Sequence, residues 1–304
     1  MPNYKFLKML SFTLAMFLLS CSNNQIESNL ESPTPNDYSS SILLERLTSL
    51  NDSLLKVTPA TRGVYERGCI IVGDIAGAIS LAKAGFWAGG LVGPQTAIGV
   101  GFLGGLIGGV SGSYVAFRAA YGKTRGIEDS EISPAPMKVI AAYASVLDSD
   151  LDIDKYKPKT VNVNYPIKDE NIILMGARHN VILQSLLDNK IDYKATKHYF
   201  TEQELEILNS KPYTQVYDSI MNQIEISGGL SITGHDVSSR LINLFNQVVA
   251  QYPQNGKDME FLINKYIEAV NISDEVSDDE KKIIYLTLSV AASSFEYWKK
   301  QFNY

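Results

Sequence analysis

The side chains here whose types can do chemistry are three histidines, two cysteines and several short runs of carboxylates. His179, His198 and His235 share no metal-ligand spacing such as HExxH. Arg178-His179-Asn180 interrupts an otherwise apolar helical stretch. It reads either as a groove-facing set or, more commonly for such clusters, as a locally hydrogen-bonded one. Asp148, Asp150, Asp152 and Asp154 alternate as at the start of a calcium loop. An EF-hand needs glycine at its sixth position and glutamate at its twelfth, and Ile153 and Lys159 stand there instead. Gly99-Val100-Gly101-Phe102-Leu103-Gly104 matches the dinucleotide pattern GxGxxG. That motif requires a preceding strand and an acid about 20 positions on, where this chain has Pro94-Gln95-Thr96-Ala97 and Ala119-Ala120. Gly122-Lys123-Thr124 imitates the end of a phosphate loop, but Phe117 occupies the position of its first glycine, so Gly122 is expected to cap a helix. Glu202, Glu204 and Glu206 read as first-turn helix acids, and no GxSxG elbow occurs. The sequence therefore offers no catalytic residue, no metal set and no cofactor motif, and an enzyme is not expected.

One covalent chemistry is legible. Lys5 and Lys8 precede an apolar stretch over 9–19, too short for a stable transmembrane helix but of the length of a signal-peptide core. It ends in Leu18-Leu19-Ser20-Cys21. These residues resemble a bacterial lipobox, which implies cleavage before Cys21 and attachment of acyl chains such as palmitate to that cysteine. In that family of signals an aspartate after the cysteine favours the inner membrane, so Ser22 points to the outer membrane of a bacterial envelope. Two or three acyl chains anchor stably where a single chain is marginal. With Cys21 lipidated, Cys69 has no disulfide partner and is expected as a small buried hydrophobe within Cys69-Ile70-Ile71-Val72.

The rest of the chain must position whatever the anchor carries. Residues 22–41 are rich in Ser, Asn and Pro and read as a tether of up to about 60 Å when extended. Leu43, Leu47, Leu50 and Leu54 then give the seam of a short amphipathic helix. Seventeen of the 22 glycines fall in 63–126, and no charge occurs over 84–117. Gly93-Pro94 divides this apolar stretch into helix-length pieces, about 69–92 and 95–121. Gly101, Gly105, Gly109 and Ser113 recur every fourth residue, as do Gly104, Gly108, Gly112 and Ala116. The first piece carries Gly73 and Gly77, then Gly85, Gly89 and Gly93. Each interior glycine costs a helix about 1 kcal/mol against alanine, so such a helix survives only by close packing against another backbone. Leu103, Ile107, Val110 and Tyr114 form an aliphatic stripe beside the glycines. A helical hairpin is expected, with Asp74 and Arg118 at similar distances from the bend and able to pair. Residues 96–117 are long enough to span a bilayer, whereas Lys83 would then carry a charge near mid-depth.

Asp74-Ile75-Ala76-Gly77-Ala78 and the Gly-xxx-Gly rows resemble the glycine-zipper domains of Gram-negative envelope lipoproteins and of some bacteriocin-like proteins. The resemblance covers about 60 of the 304 residues and implies a packing mode, not a reaction. It makes Gly85, Gly89, Gly101, Gly104, Gly105, Gly108, Gly109 and Gly112 the helix-packing residues.

Glu128, Asp129, Glu131 and Ser133-Pro134-Ala135-Pro136 mark a linker, after which the chain reads as helical. Helices are expected near 137–148, 171–188, 202–209, 213–226, 236–251, 258–271 and 278–302, with capping boxes at Thr201/Glu204 and Ser277/Glu280. Residues 155–168 read as extended, with room for one short strand, and the aromatic C-terminus (Phe295, Tyr297, Trp298, Phe302, Tyr304) as a docking face on the core. The expected organisation is all-α: signal peptide 1–20, lipidated tether 21–41, amphipathic helix and glycine hairpin 42–126, and helical domain 137–304. Residues 42–126 carry eight Lys/Arg against four Asp/Glu, and 127–304 carry 17 against 26. The basic segment suits an anionic lipid surface, and the acidic remainder excludes nucleic acid as its partner. The expected partners are membrane lipid through Cys21, a second copy through the glycine-rich helices, and a protein of unspecified kind. The expected role is that of a structural or interaction lipoprotein. Two alternatives stand beside it, a pore-forming protein and a helical binding module whose glycine hairpin is its own core.

Overall fold

The computed structural model describes residues 41–56, 62–125, 134–149, 152–188, 191, 193–232 and 234–302, without the side chains of 62–67 and 120–125. The signal segment, Cys21 and the tether over 22–40 lie outside these residues. All regular structure among them is helical. Helix α1 is Ile42–Leu55, opened by the Ser41 hydroxyl accepting from the Leu44 amide. The hairpin is α2, Arg62–Gly90, and α3, Pro94–Arg125. The turn falls at Gly93-Pro94 as the sequence implies, because proline at the first helical position lacks only an amide that would go unpaired. The helix end expected at Gly122 lies further on, at Arg125.

Next come α4 (Pro136–Leu147), a 3-10 turn at Ile153–Tyr156, α5 (Glu170–Ile173) and α6 (Met175–Leu187). They are followed by α7 (Thr196–Tyr199), α8 (Glu202–Leu208), α9 (Lys211–Ser227), α10 (Val237–Val249), α11 (Gly256–Asn271) and α12 (Asp278–Gln301). Both expected capping boxes are formed, Thr201 with Glu204 and Ser277 with Glu280, and Asn255 with Asp258 makes a third. Helix α9 ends on Gly228 at φ 63°, a left-handed position that a side chain would strain.

The expected short strand is absent among the described residues. Residues 157–168 are instead an extended strap whose amides bond to side chains. Those of Lys159, Thr160 and Val161 donate to the Glu296 carboxylate, that of Asn162 to Glu260 and that of Asn164 to Asn264. Carboxylates from α11 and α12 thus satisfy donors that a sheet would otherwise have to meet.

Residues 42–126 and 137–304, expected as successive domains, share one core. Ser41 onward forms a single compact unit with the hairpin at its centre. Helices α10 and α12 flank α2, α9 lies across both hairpin helices, α6 and α4 cover α3, and α1 packs outside on α10 and α11. The most apolar stretches, Gly68–Gly90 and Pro94–Ala119, are long and apolar enough to cross a bilayer, yet 72% and 89% of the most apolar 18 residues in each are buried inside the protein. The aliphatic stripe is covered too: Leu103, Ile107 and Val110 are buried. Phe295, Tyr297 and Trp298 join this core and Phe302 packs against it, with Trp298 stacked on Phe117 at 5.0 Å between ring centroids, while Tyr304 lies outside the described residues.

Candidate functional site

The two glycine rows of α3 do different things. A Cβ added at Gly104, Gly108 or Gly112 would lie closer than 3.0 Å to the carbonyl oxygens of Leu81, Gly77 and Gly73 on α2. The relation is reciprocal, since a Cβ at Gly73, Gly77, Gly85 or Gly89 would strike the carbonyls of Gly112, Gly108, Val100 and Thr96. Backbone therefore meets backbone along the hairpin, which allows Cα–H···O contacts worth about 0.5–1 kcal/mol each. The second row receives side chains instead. A Cβ at Gly101 would sit 3.1 Å from Phe86 Cβ, one at Gly105 2.8 Å from Leu286, and one at Gly109 3.1 Å from the His179 ring and 3.6 Å from Val290. At Gly105 and Gly109 this row is a trough for α12 and α6, while Gly101 still faces α2.

A polar cluster is enclosed where these helices meet. Asp74 of α2, Ser113 of α3, His179 of α6 and Ser294 of α12 are all fully buried. The Ser294 hydroxyl donates to Asp74 Oδ2, and Trp298 Nε1 donates to Ser113 Oγ at 3.2 Å. His179 Nδ1 lies 3.0 Å from Asn180 Oδ1, while the Asn180 amide donates to the Ser293 carbonyl at 3.0 Å. Burial pushes the Asp74 carboxyl up to about 8, against the hydrogen bonds from Ser113, Ser294 and Trp298 that favour its ionised form. Burial likewise pulls His179 down to about 4, against hydrogen bonding to Asn180 and the Gly109 backbone. Between those two values neither group carries charge, so their 4.0 Å approach is not an ion pair.

Serine, histidine and aspartate are also the groups of a hydrolase triad, and the geometry is wrong for one. In a triad the imidazole stands between hydroxyl and carboxylate. Here the carboxyl stands between, Ser294 bonds to it directly, and His179 Nε2 is beyond hydrogen-bond reach. With all three side chains sealed from solvent, the cluster holds α2, α3, α6 and α12 together in one register and does not activate a nucleophile.

Nearer the bend, Lys83 finds the partner that the sequence did not reveal. Its ammonium lies 2.5 Å from Asp236 Oδ1 and donates to Ser238 and Ser239 at 3.0 and 2.9 Å. Asp236 also caps α10 by accepting from the Ser239 amide at 3.0 Å. Partial burial would raise this carboxyl's pKa, but the hydrogen bonds from Lys83, Ser238 and Ser239 prevail and hold it well below the usual carboxylate range. Arg118 pairs with Glu225 at 3.2 Å and not with Asp74 as expected, because Asp74 faces inward while Arg118 reaches the surface edge of α9. Arg46 lies 3.7 Å from Glu268. Arg46, Lys83 and Arg118 thus each answer an acid of the following helices.

The remaining sequence candidates carry structural roles. Arg178 lies over the Phe102 ring at 5.4 Å and donates to Asn171 at 2.9 Å, so the Arg178-His179-Asn180 set is the locally bonded alternative. Asp148 accepts from the Tyr199 hydroxyl, Asp152 caps the 3-10 turn and Asp154 pairs with Lys157. Gly99 to Gly104 lie inside α3 with no strand before them. No cluster of metal-ligating side chains occurs among the described residues. Sequence reasoning missed Ser294 and Gly176, and read Ser113 only as a small packing position. Gly176 lets α6 approach the Ser289 carbonyl, and the signal for it was the small-residue spacing Ser289-xxx-Ser293 in α12. Compared with protein-family models, curated proteins and solved structures, the chain matches none.

Proposed function

We propose that the chain is a bacterial envelope lipoprotein, acylated at Cys21, whose helical domain works by binding a protein partner and not by catalysis. Of the roles open to a glycine-rich hairpin, this one is supported by a single observation. The chain's own helices cover most of the hairpin, 89% of the most apolar 18 residues of α3 being buried, which supports a hairpin stabilised without a bilayer or a second copy. The sealed Asp74–His179–Ser294 cluster, which lacks relay geometry, supports a non-catalytic role. Fractionation tests the reading. The wild-type chain is expected in the outer-membrane fraction, and Cys21→Ala is expected to lose acylation. Crosslinking in intact cells is expected to join the domain to a second protein species. A glycine hairpin that crosslinks only to its own copies would overturn it.

A second reading has one observation in its favour. Two span-competent helices packed inside a shell of amphipathic ones are also what a pore-forming protein keeps in reserve before insertion. Release of a trapped dye from vesicles by the purified chain would favour this reading over the first.

A further inference from the structure

The enclosed cluster leaves two polar atoms without a hydrogen-bond partner, Asp74 Oδ1 on α2 and His179 Nε2 on α6, both on fully buried side chains. Buried polar groups are costly to leave unsatisfied, and interiors that lack a protein partner for them hold ordered water. The surroundings fix what each atom needs. The Asn180 amide nitrogen donates to the Ser293 carbonyl, which turns Asn180 Oδ1 towards the imidazole. An amide oxygen only accepts, so the ring nitrogen 3.0 Å from it, Nδ1, carries the proton. In the neutral ring Nε2 is then a bare acceptor.

Asp74 is the complement. The side chains that act on it from α3 and α12 are Ser113, Ser294, Trp298 and Tyr297, and its neighbour on α6 is His179. None of these is a cation, since burial keeps the imidazole neutral, so the enclosed carboxyl holds its proton. Oδ2 accepts from Ser294, which leaves the proton to Oδ1. A donor on the hairpin and an acceptor on α6 are therefore both unmet. With Nε2 4.0 Å from Oδ2, ring and carboxyl do not bond directly. A water about 2.8 Å from each partner, at its tetrahedral angle, joins atoms about 4.6 Å apart, in keeping with that separation.

We infer that one water molecule is enclosed between α2 and α6, accepting from Asp74 Oδ1 and donating to His179 Nε2. It joins two helices of the cluster that share no direct hydrogen bond there, Asp74 being tied to α12 through Ser294 and Asn180 through Ser293. Sealed among α2, α3, α6 and α12, it leaves only when those helices part, so its residence is long. The inference rests on the cluster alone and stands apart from the envelope reading. Nuclear magnetic resonance on the folded full chain, with nitrogen-15 in its histidine rings, tests it. Long-range ring spectra are expected to show His179 protonated at Nδ1 and bare at Nε2. Cross-relaxation is expected from a long-lived water to His179 Hε1 and Hδ2, the ring hydrogens on either side of Nε2. Asp74→Leu removes the donor and should abolish that transfer. If Asp74→Leu does not fold, the wild-type spectra decide alone. A proton on Nε2, or a bare Nε2 that receives nothing from water, overturns the inference. Transfer that persists in a folded Asp74→Leu also overturns it, because the carboxyl would then not be what holds the water.

Discussion

The half of the hairpin far from the bend and the half next to it are built from the same residue types and treat charge in opposite ways. Far from the bend, around Gly73, Gly77, Gly108 and Gly112, carbonyls press on glycine Cα atoms, and the enclosed Asp74 is neutral at pH 7. Near the bend, Gly85 and Gly89 still press on the carbonyls of Val100 and Thr96, but Gly93 has open space around it and the partly exposed Lys83 pairs with Asp236. Solvent makes the difference. Where water is excluded, close approach and neutrality are the stable solution, since an ion left there would cost several kcal/mol. Where water reaches, a charge needs only modest help and a missing side chain leaves no void.

The comparison breaks most readily at its sealed half. Gly108→Leu forces a side chain into the Gly77 carbonyl, backbone that cannot step aside. It should cost at least about 4 kcal/mol, enough to abolish cooperative thermal unfolding near ambient temperature in a domain of marginal stability. A stable, wild-type-like melt for Gly108→Leu would refute the close packing.

The next effect is a pH dependence. An acid raised from 3.8 to about 8 on folding leaves the native state holding an extra proton over that window, so its contribution falls as pH rises. His179, lowered from 6.5 to about 4, makes stability rise with pH over its own window. The two oppose each other from about pH 4 to 6.5, and only the Asp74 loss remains from 6.5 to 8. Wild type should therefore be flat in this respect below pH 6.5 and lose on the order of 2 kcal/mol by pH 8. Asp74→Asn should abolish that loss and uncover the histidine's rise between pH 4 and 6.5. Denaturant melts across pH would show it, and an unchanged profile in Asp74→Asn would place the proton elsewhere.

At the bend half the effects are smaller. Asp236→Ala removes the α10 cap together with the partner of Lys83 and should cost about 1–2 kcal/mol. Lys83→Met leaves the cap in place and should cost less than about 1 kcal/mol, an amount that salt reduces further. The smallest effect belongs to Gly93→Ala. With nothing within 4 Å of the added carbon, it should be neutral or stabilising by up to about 1 kcal/mol, seen as an equal or higher melting temperature.

Much of the architecture was legible because its signals are local. The bend at Gly93-Pro94 and the boxes at Thr201/Glu204 and Ser277/Glu280 each depend on a few neighbouring residues. The every-fourth-residue rows said that something must lie close on two faces of α3. They did not say that one face takes backbone from α2 and the other takes Leu286, Val290 and His179 from α12 and α6. Spacing gives the shape of a groove, but the identity of what fills it is a long-range fact. The same holds for charge, since Arg118 and Asp74 sit at matching distances from the bend and still find different partners, Glu225 and Ser294.

By itself the sequence determined an all-helical chain, a hairpin with two small-residue faces, the position of its turn and the caps of its helices. These follow from backbone sterics and hydrogen bonds within a few residues. Only the tertiary structure decided that the hairpin is wrapped by α4, α6, α9, α10 and α12, and that Asp74 is enclosed and neutral while Lys83 pairs with Asp236. Burial, and with it the local dielectric, is a property of the whole packed chain, and no stretch of residues carries it alone.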